Sequence, residues 1–402
     1  MSDPLRVQVS GPLSVFAAGF RDEQEGRGYR PDTVAKQLQL LAHLSRWLVA
    51  HELGPAALDG MQVATFVAER RVSHTHLASM RGLQELLGYL RALGVVPAAG
   101  SREAPTPAGE LLDRYAVYLR LRRGLKASTI RNYTRHARDF LADRERLLGE
   151  LALTVLDVAA ISDYMLRESR RVSVSSTGAA AGALRSLLRF LHVEGVIDRD
   201  LAVAVPTIAK WRLASLVRAV DPVLLGRLLA SCERRTAIGR RDFAILALLS
   251  RLGLRIAEVA ALRLEDIDWR AGELVIHGKG DRQERLPLPV DVGEAIVDWL
   301  RYGRPDCASR ILFTRSRAPH VALHSASLNG IVHRACGRAE VSAVTAHQLR
   351  HTAATEMLRA GSSLREVGQV LRHRGSDVTS IYAKVDRRAL AALVQPWPGA
   401  VA

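Results

Sequence analysis

The sequence predicts a mainly α-helical protein with a small β-sheet in its last third. Most of the 402 residues are rich in Ala, Leu and Arg, with apolar residues recurring three and four apart, the signature of amphipathic helix. One stretch breaks that rule: Gly272 to His277 and Glu284 to Leu288 alternate around Gly278-Lys279-Gly280-Asp281, as a β-hairpin with a glycine-bearing turn does. Two interruptions rich in turn-forming residues then divide the chain into three units.

The run from Thr33 to Leu48 is the clearest early helix. Pro97 to Gly109, rich in Pro, Ala and Gly, reads as a linker. The second interruption runs from Val205-Pro206 to Asp221-Pro222, and Asp221 is placed to cap a helix with Pro222 at its first position. The expected units are residues 1–100, 108–205 and 215–402. The first two resemble each other. Leu86-Leu87-Gly88-Tyr89-Leu90 before Gly94-Val95-Val96 matches Leu187-Leu188-Arg189-Phe190-Leu191 before Gly195-Val196-Ile197 at an offset of 101. Gly28 to Thr33 likewise matches Gly124 to Thr129 at an offset of 96. A duplicated four-helix unit explains both matches, whereas two unrelated helices ending in glycine caps explain only the first. In the third unit helical text runs to Leu262, the hairpin follows, and helices resume near Val292.

Fifty-seven cations against 41 anions give a net charge of +16, and the pI is near 10.6. The expected partner is therefore a polyanion, first of all nucleic acid. Residues 1–100 carry +1, 101–205 carry +4 and 206–402 carry +11, so the polyanion should meet the last unit most strongly. The 3 cysteines, Cys232, Cys307 and Cys336, are odd in number and widely spaced, which excludes a disulfide framework or a structural zinc site and fits a reducing compartment. No basic-apolar leader and no 18-residue apolar run occurs, so the expectation is a cytoplasmic, nucleoid-associated protein that does not meet the membrane.

Four short segments of the last unit concentrate polar residues. Gly253-Leu254-Arg255-Ile256-Ala257-Glu258 puts Arg255 and Glu258 three apart; taken alone, they form an ordinary surface ion pair. Lys279 sits between two glycines at the hairpin tip, where an exposed turn lysine and a phosphate-seeking lysine look alike. No G-x-x-x-x-G-K-[ST] occurs, so this is not a nucleotide-hydrolysis lysine. Thr345 and Gln348 form a capping box, which starts a helix and sets His347 and Arg350 on one face near its positive end. His347 and His351 have zinc-protease spacing, but Gln348 replaces the catalytic glutamate, so no metal is expected; His351 reads as a packed core residue. Finally, Leu371-Arg372-His373 leads to Tyr382, which alone would read as a helix anchor.

Together these side chains suit one chemistry. Bidentate arginines and imidazolium donors can stabilise the charge on a phosphodiester under attack without a metal. Nearby cations favour the phenolate of a tyrosine, making it a nucleophile, and a lysine on a hairpin tip can protonate the leaving 5′ oxygen. The covalent phosphotyrosine conserves the bond energy, so ATP is not needed.

Arg255 in Gly-Leu-Arg-x-x-Glu, Lys279 in Gly-Lys-Gly, His347-x-Leu-Arg350-His351, and Leu-x-His373 nine residues before Tyr382 resemble the tyrosine recombinases, or phage integrases, in order and spacing. The resemblance covers about Asp221 to Val394. It implies that Tyr382 is the nucleophile, that Arg255 and Arg350 grip the scissile phosphate, and that Lys279 is the general acid. By the same resemblance His347 and His373 contact the phosphate and handle protons, and Glu258 orients its neighbours. It further implies helical core-binding (SAM-like) bundles ahead of a catalytic domain, with residues 108–205 as the core-binding domain and 1–100 as an extra copy. One departure is Leu371-Arg372 where many relatives have Leu-Gly, which puts the local loop geometry in question.

The resemblance implies a site-specific recombinase or integrase of a mobile element, acting on double-stranded DNA with inverted-repeat-type core sites. It would work as a homotetramer on DNA, with dimers before synapsis as an option, and without cofactor or metal. Residues 1–100 would meet a partner subunit or accessory protein, with an outer DNA site as the alternative. A short apolar helix over 386–394 would dock on a neighbouring protomer. Type IB topoisomerase-like relaxation and a non-cleaving DNA-binding accessory protein are the competing readings.

Overall fold

The computed structural model describes residues 7–73, 80–97, 106–209, 219–278 and 283–372. Two compact units result: Ala99–Ala214, and Met1–Ala98 together with Ser215–Ala402.

The N-terminal segment folds as α1 (Ala17–Gly26), α2 (Pro31–Ala50), α3 (Gly60–Ser73) and α4 (Met80–Ala92). Pro31 opens α2 where a missing N–H costs nothing, and Asp32 complements the helix's positive end. Phe20, Leu38, Leu41, Trp47, Phe66, Leu86 and Leu90 fill its core. Residues of the second unit form α5 (Pro107–Leu121), α6 (Ala127–Leu148), α7 (Val158–Arg171) and α8 (Val174–Val193) around Tyr115, Phe140, Leu187 and Phe190. The interruption expected to run to Gly109 ends earlier. Thr106 Oγ1 accepts from the Gly109 N–H at 3.0 Å and Pro107 suits the first helical position, so the turn-forming residues themselves start α5.

The two four-helix segments close alike. Gly94 and Gly195 adopt φ of +71° and +68°. The Val95 N–H donates to Leu90 O at 2.9 Å, and the Val196 N–H to Leu191 O at 2.9 Å. That six-residue closure after a helix wants a residue without a β-carbon. The repeated Gly-Val text is therefore a repeated capping geometry.

The last segment begins with α9 (Pro222–Ala230), capped by Asp221, whose carboxylate accepts from the Val223 N–H at 2.8 Å. There follow α10 (Ala237–Arg251), α11 (Ile256–Ala261), β1 (Ile267–Asp268), β2 (Glu273–His277), β3 (Gln283–Pro287), α12 (Val290–Tyr302), α13 (Ser325–Ala339), α14 (Ala346–Arg359) and α15 (Leu364–Val370). The sheet is antiparallel in the order β1-β2-β3, with Ile276 opposite Glu284 and Leu274 opposite both Ile267 and Leu286. Leu274, Ile276 and Leu286 point inward, which is the alternation seen in the sequence. β1 was not anticipated, because two residues are too short to show a period. α10 is buried along its length from Ala244 to Ser250 and packs against both α12 and α14, so it is the spine of this segment.

Residues 1–98 keep their own core yet touch this last segment. The His320 N–H donates to Arg27 O at 3.2 Å. Gly28, at φ +80°, lies against the His320 ring, where a β-carbon would collide. Among the described residues no helix is long and apolar enough to cross a membrane.

Trp299 of α12 is fully buried and its Nε1 donates to Leu312 O at 2.9 Å, so it carries both packing and an internal polar bond. Trp299→Ala should destabilise the protein by about 4 kcal/mol. Urea unfolding followed by tryptophan-independent circular dichroism measures this, and a loss under 1 kcal/mol (roughly a surface substitution's effect) would contradict the packing described.

Candidate active site

The site is assembled where the loop before α11, the first turns of α14 and the turn after α15 meet. Gly253 adopts φ +58°, and a β-carbon there would lie 2.7 Å from Leu371 Cδ2 and 3.3 Å from Ala353 Cβ. Glycine thus lets the loop close onto α14 and the Leu371 turn. Arg350, 4 % exposed, uses this proximity. Its Nη1 donates to Gly253 O and its Nη2 to Leu371 O.

Arg255 is the residue just before α11, not a residue within it, and its N–H donates to Glu258 Oε2 at 2.8 Å. Its guanidinium donates from Nη1 to Glu258 Oε1 at 2.6 Å and from Nη2 to Arg372 O at 3.1 Å. Taken alone in the sequence the two form a surface ion pair; in the structure the pairing is a cap, with Glu258 buried and Arg255 open to solvent. Burial alone would raise the Glu258 carboxyl, but the Arg372 charge and the donors of Arg255 outweigh it and hold the group below the usual carboxylate range.

Thr345 starts α14 as expected: its Oγ1 accepts from the Gln348 N–H at 3.2 Å, and Gln348 Oε1 accepts from the Thr345 N–H at 2.9 Å. This fixes His347 at the helix entrance, edge-on to His351 with ring centroids 4.1 Å apart. Partial burial, then the charges of Arg350 and Arg255, push His347 below the usual histidine value. His351 is buried, as expected of a core residue, and burial followed by His347 and Arg350 lowers it to about 4.

The structure therefore brings Arg255, Glu258, His347 and Arg350 into one cluster. Lys279, His373, Tyr382 and the 386–394 helix lie outside the described residues. Two features went unread in the sequence. Asp266 is buried, accepts from the Arg263 N–H at 2.8 Å and lies 2.8 Å from His277 Nε2, which ties the end of β2 to the segment before β1. No spacing signals that pair. The second is Arg372, which adopts φ +55° and so keeps the backbone geometry a glycine would take, while its side chain reaches Glu258 at 2.8 Å. An arginine at a glycine position was the available cue.

The Phage integrase family profile matches residues 220–388. A Sinorhizobium fredii protein named as an integrase/recombinase, y4rA, is 39 % identical over 393 residues, covering 97 % of this chain and 95 % of that one. The chain belongs to the phage integrase family, the tyrosine recombinases. Tyrosine recombinase XerC of Shewanella amazonensis is 32 % identical over 286 residues, covering 70 % of this chain and 93 % of its own. Among solved folds, XerH site-specific recombinase bound to palindromic difH substrate superposes with a TM-score of 0.58 at 18 % identity, covering 74 % of this chain and 98 % of that one. The integrase profile spans the whole arginine cluster and the three motif residues outside the described segments.

The depressed His351 gives a stability prediction. Its folded value lies below the unfolded one, so the unfolded chain binds the extra proton and stability is lost as pH falls from about 6.5 towards 4. The loss from this residue is up to about 3 kcal/mol. Urea midpoints of wild type should fall more steeply over that range than those of His351→Gln; parallel slopes would show that another group titrates.

Proposed function

We propose that the protein is a site-specific DNA recombinase that cuts and rejoins strands through Tyr382. The observation that carries the reading is the arginine cluster. One guanidinium is buried and locks two loops together, and the other is exposed beside it with a histidine at a helix entrance. Such a preorganised set of donors suits a phosphate oxygen that gains charge as the phosphorus is attacked.

The residues outside the described segments complete the chemistry. The Tyr382 oxygen forms a bond to phosphorus and the bond to the 5′ oxygen breaks, leaving a 3′-phosphotyrosine. The phenol proton passes to an imidazole, for which His373 and His347 are the candidates. Lys279 delivers a proton to the 5′ oxygen. A 5′ hydroxyl of another strand then reverses the steps, so neither metal nor ATP enters the balance. The downward shift of His347 favours the unprotonated imidazole that can take up the phenol proton.

Residues 108–205 serve as the core-binding domain and 215–402 as the catalytic domain, which together hold double-stranded DNA at inverted-repeat core sites. A homotetramer performs exchange, with 386–394 docking between protomers, in the integration, excision or transposition of a mobile element. Residues 1–100, nearly neutral in charge, meet a partner subunit. Phosphate contacts dominate the DNA affinity, which therefore falls steeply with salt.

A nicked duplex carrying the sequence that flanks the encoding element tests this. Wild type should form a protein-DNA adduct that survives denaturation without metal or ATP, and Tyr382→Phe should form none. Arg255→Ala, at an exposed position, should fold normally and form the adduct roughly 10²- to 10³-fold more slowly. An adduct with Tyr382→Phe would remove the nucleophile assignment; relaxation of supercoiled plasmid without site preference would favour a topoisomerase.

A further inference from the structure

We propose that Arg372 is a positioning residue that takes up the buried charge of Glu258 and thereby leaves Arg255 cationic toward the DNA phosphate. The inference rests on the function proposed above and concerns a residue where the family's motif pattern has glycine.

Arg372 combines two features that are each unfavourable alone. Its φ of +55° is strained for any residue with a β-carbon. Its guanidinium is 4 % exposed, and a buried charge needs a partner. The partner is Glu258, itself 6 % exposed, at 2.8 Å. The Arg372 Nη1 also donates to Val370 O at 2.8 Å, which fixes the side chain over its own turn.

Glu258 has two oxygens to distribute. Oε1 accepts from Arg255 Nη1, and Oε2 accepts from both the Arg255 backbone N–H and Arg372 Nη2. With Arg372 present, the second oxygen is occupied, so Arg255 cannot close the two-bond fork that a lone arginine and carboxylate prefer. Its Nη2 turns instead to Arg372 O, and 44 % of the side chain stays exposed. The charge balance changes in the same direction. Arg255 with Glu258 alone is a neutral pair; Arg372 makes the trio net positive. Without it, the phosphate-gripping arginine would be the sole counter-charge of the buried carboxylate.

The backbone closes the arrangement. Arg350 holds Leu371 O and Arg255 holds Arg372 O, so both arginines grip consecutive carbonyls of the turn that leads to His373. Arg372 thus ties its own turn to Glu258 while balancing the charge of that carboxylate.

Single-turnover adduct formation at saturating nicked DNA separates this from a packing role. Arg372→Gly, which relieves the backbone, should cleave at least tenfold more slowly with DNA affinity unchanged, and Arg372→Lys should stay within threefold of wild type. Adding Glu258→Gln to Arg372→Gly should recover most of the rate, since the stray carboxylate is gone. Wild-type rates for Arg372→Gly, or no recovery in the double variant, would overturn the proposal. Should Arg372→Gly fail to fold, Arg372→Lys must outpace Arg372→Gln by tenfold, and equal rates refute it. If wild type itself forms no adduct, the functional reading fails. The Arg372→Gly and Glu258→Gln stability cycle then decides this inference: additive effects overturn it, and strong coupling supports it.

Discussion

The buried guanidinium of Arg350 is the constraint on which the rest of the site depends. It joins the carbonyls of Gly253 and Leu371, residues 97 and 21 positions away in the chain, through one rigid planar group. Arginine suits the task because its fork presents several donors at fixed angles and stays charged when buried. Every other feature adjusts to it. Gly253 lacks a β-carbon so that the loop can come close, Ala353 is small enough to sit beneath, and α10 backs α14 from the core. A lysine could keep the charge but not both carbonyls.

Gathering cations in one place has an electrostatic cost, and the protein offsets it in two ways. Glu258 supplies a counter-charge shared between Arg255 and Arg372. The two histidines of α14 hold protons less readily than usual, because burial and then nearby cations disfavour their protonation. The site is therefore less positive at rest than its residue types suggest.

Much of this was legible in the chain, and the exceptions share a cause. The capping box at Thr345, the cap at Asp221 and the inward face of β2 are local patterns, set by residues within a few positions, and the structure reproduces them. The glycine caps at Gly94 and Gly195 explain why a repeated text was visible at all. What was misread required knowledge of distant neighbours. The downward shift of His347 comes first from burial, then from Arg350 and from Arg255, the last 92 positions away in the sequence. The acceptor of the Arg255 guanidinium, Arg372 O, is 117 positions away. The Asp266 and His277 pair depends on how β1 aligns with β2, and β1 is too short to announce itself.

The division of labour within the site follows from what each part must do. Stabilising a developing charge requires donors that do not move, since reorientation during the reaction would cancel the gain. Arg350 and Arg255 accordingly anchor to main-chain carbonyls of packed elements, not to other flexible side chains alone. In the sequence Lys279 falls between β2 and β3, and Tyr382 follows the Leu371-Arg372 turn. The His277 and Asp266 contact holds the end of β2, and the Arg372 and Glu258 contact holds the turn after α15. The donors of the site are thus built into the folded core, and two polar contacts, Asp266 with His277 and Glu258 with Arg372, fix the chain just ahead of the remaining motif positions.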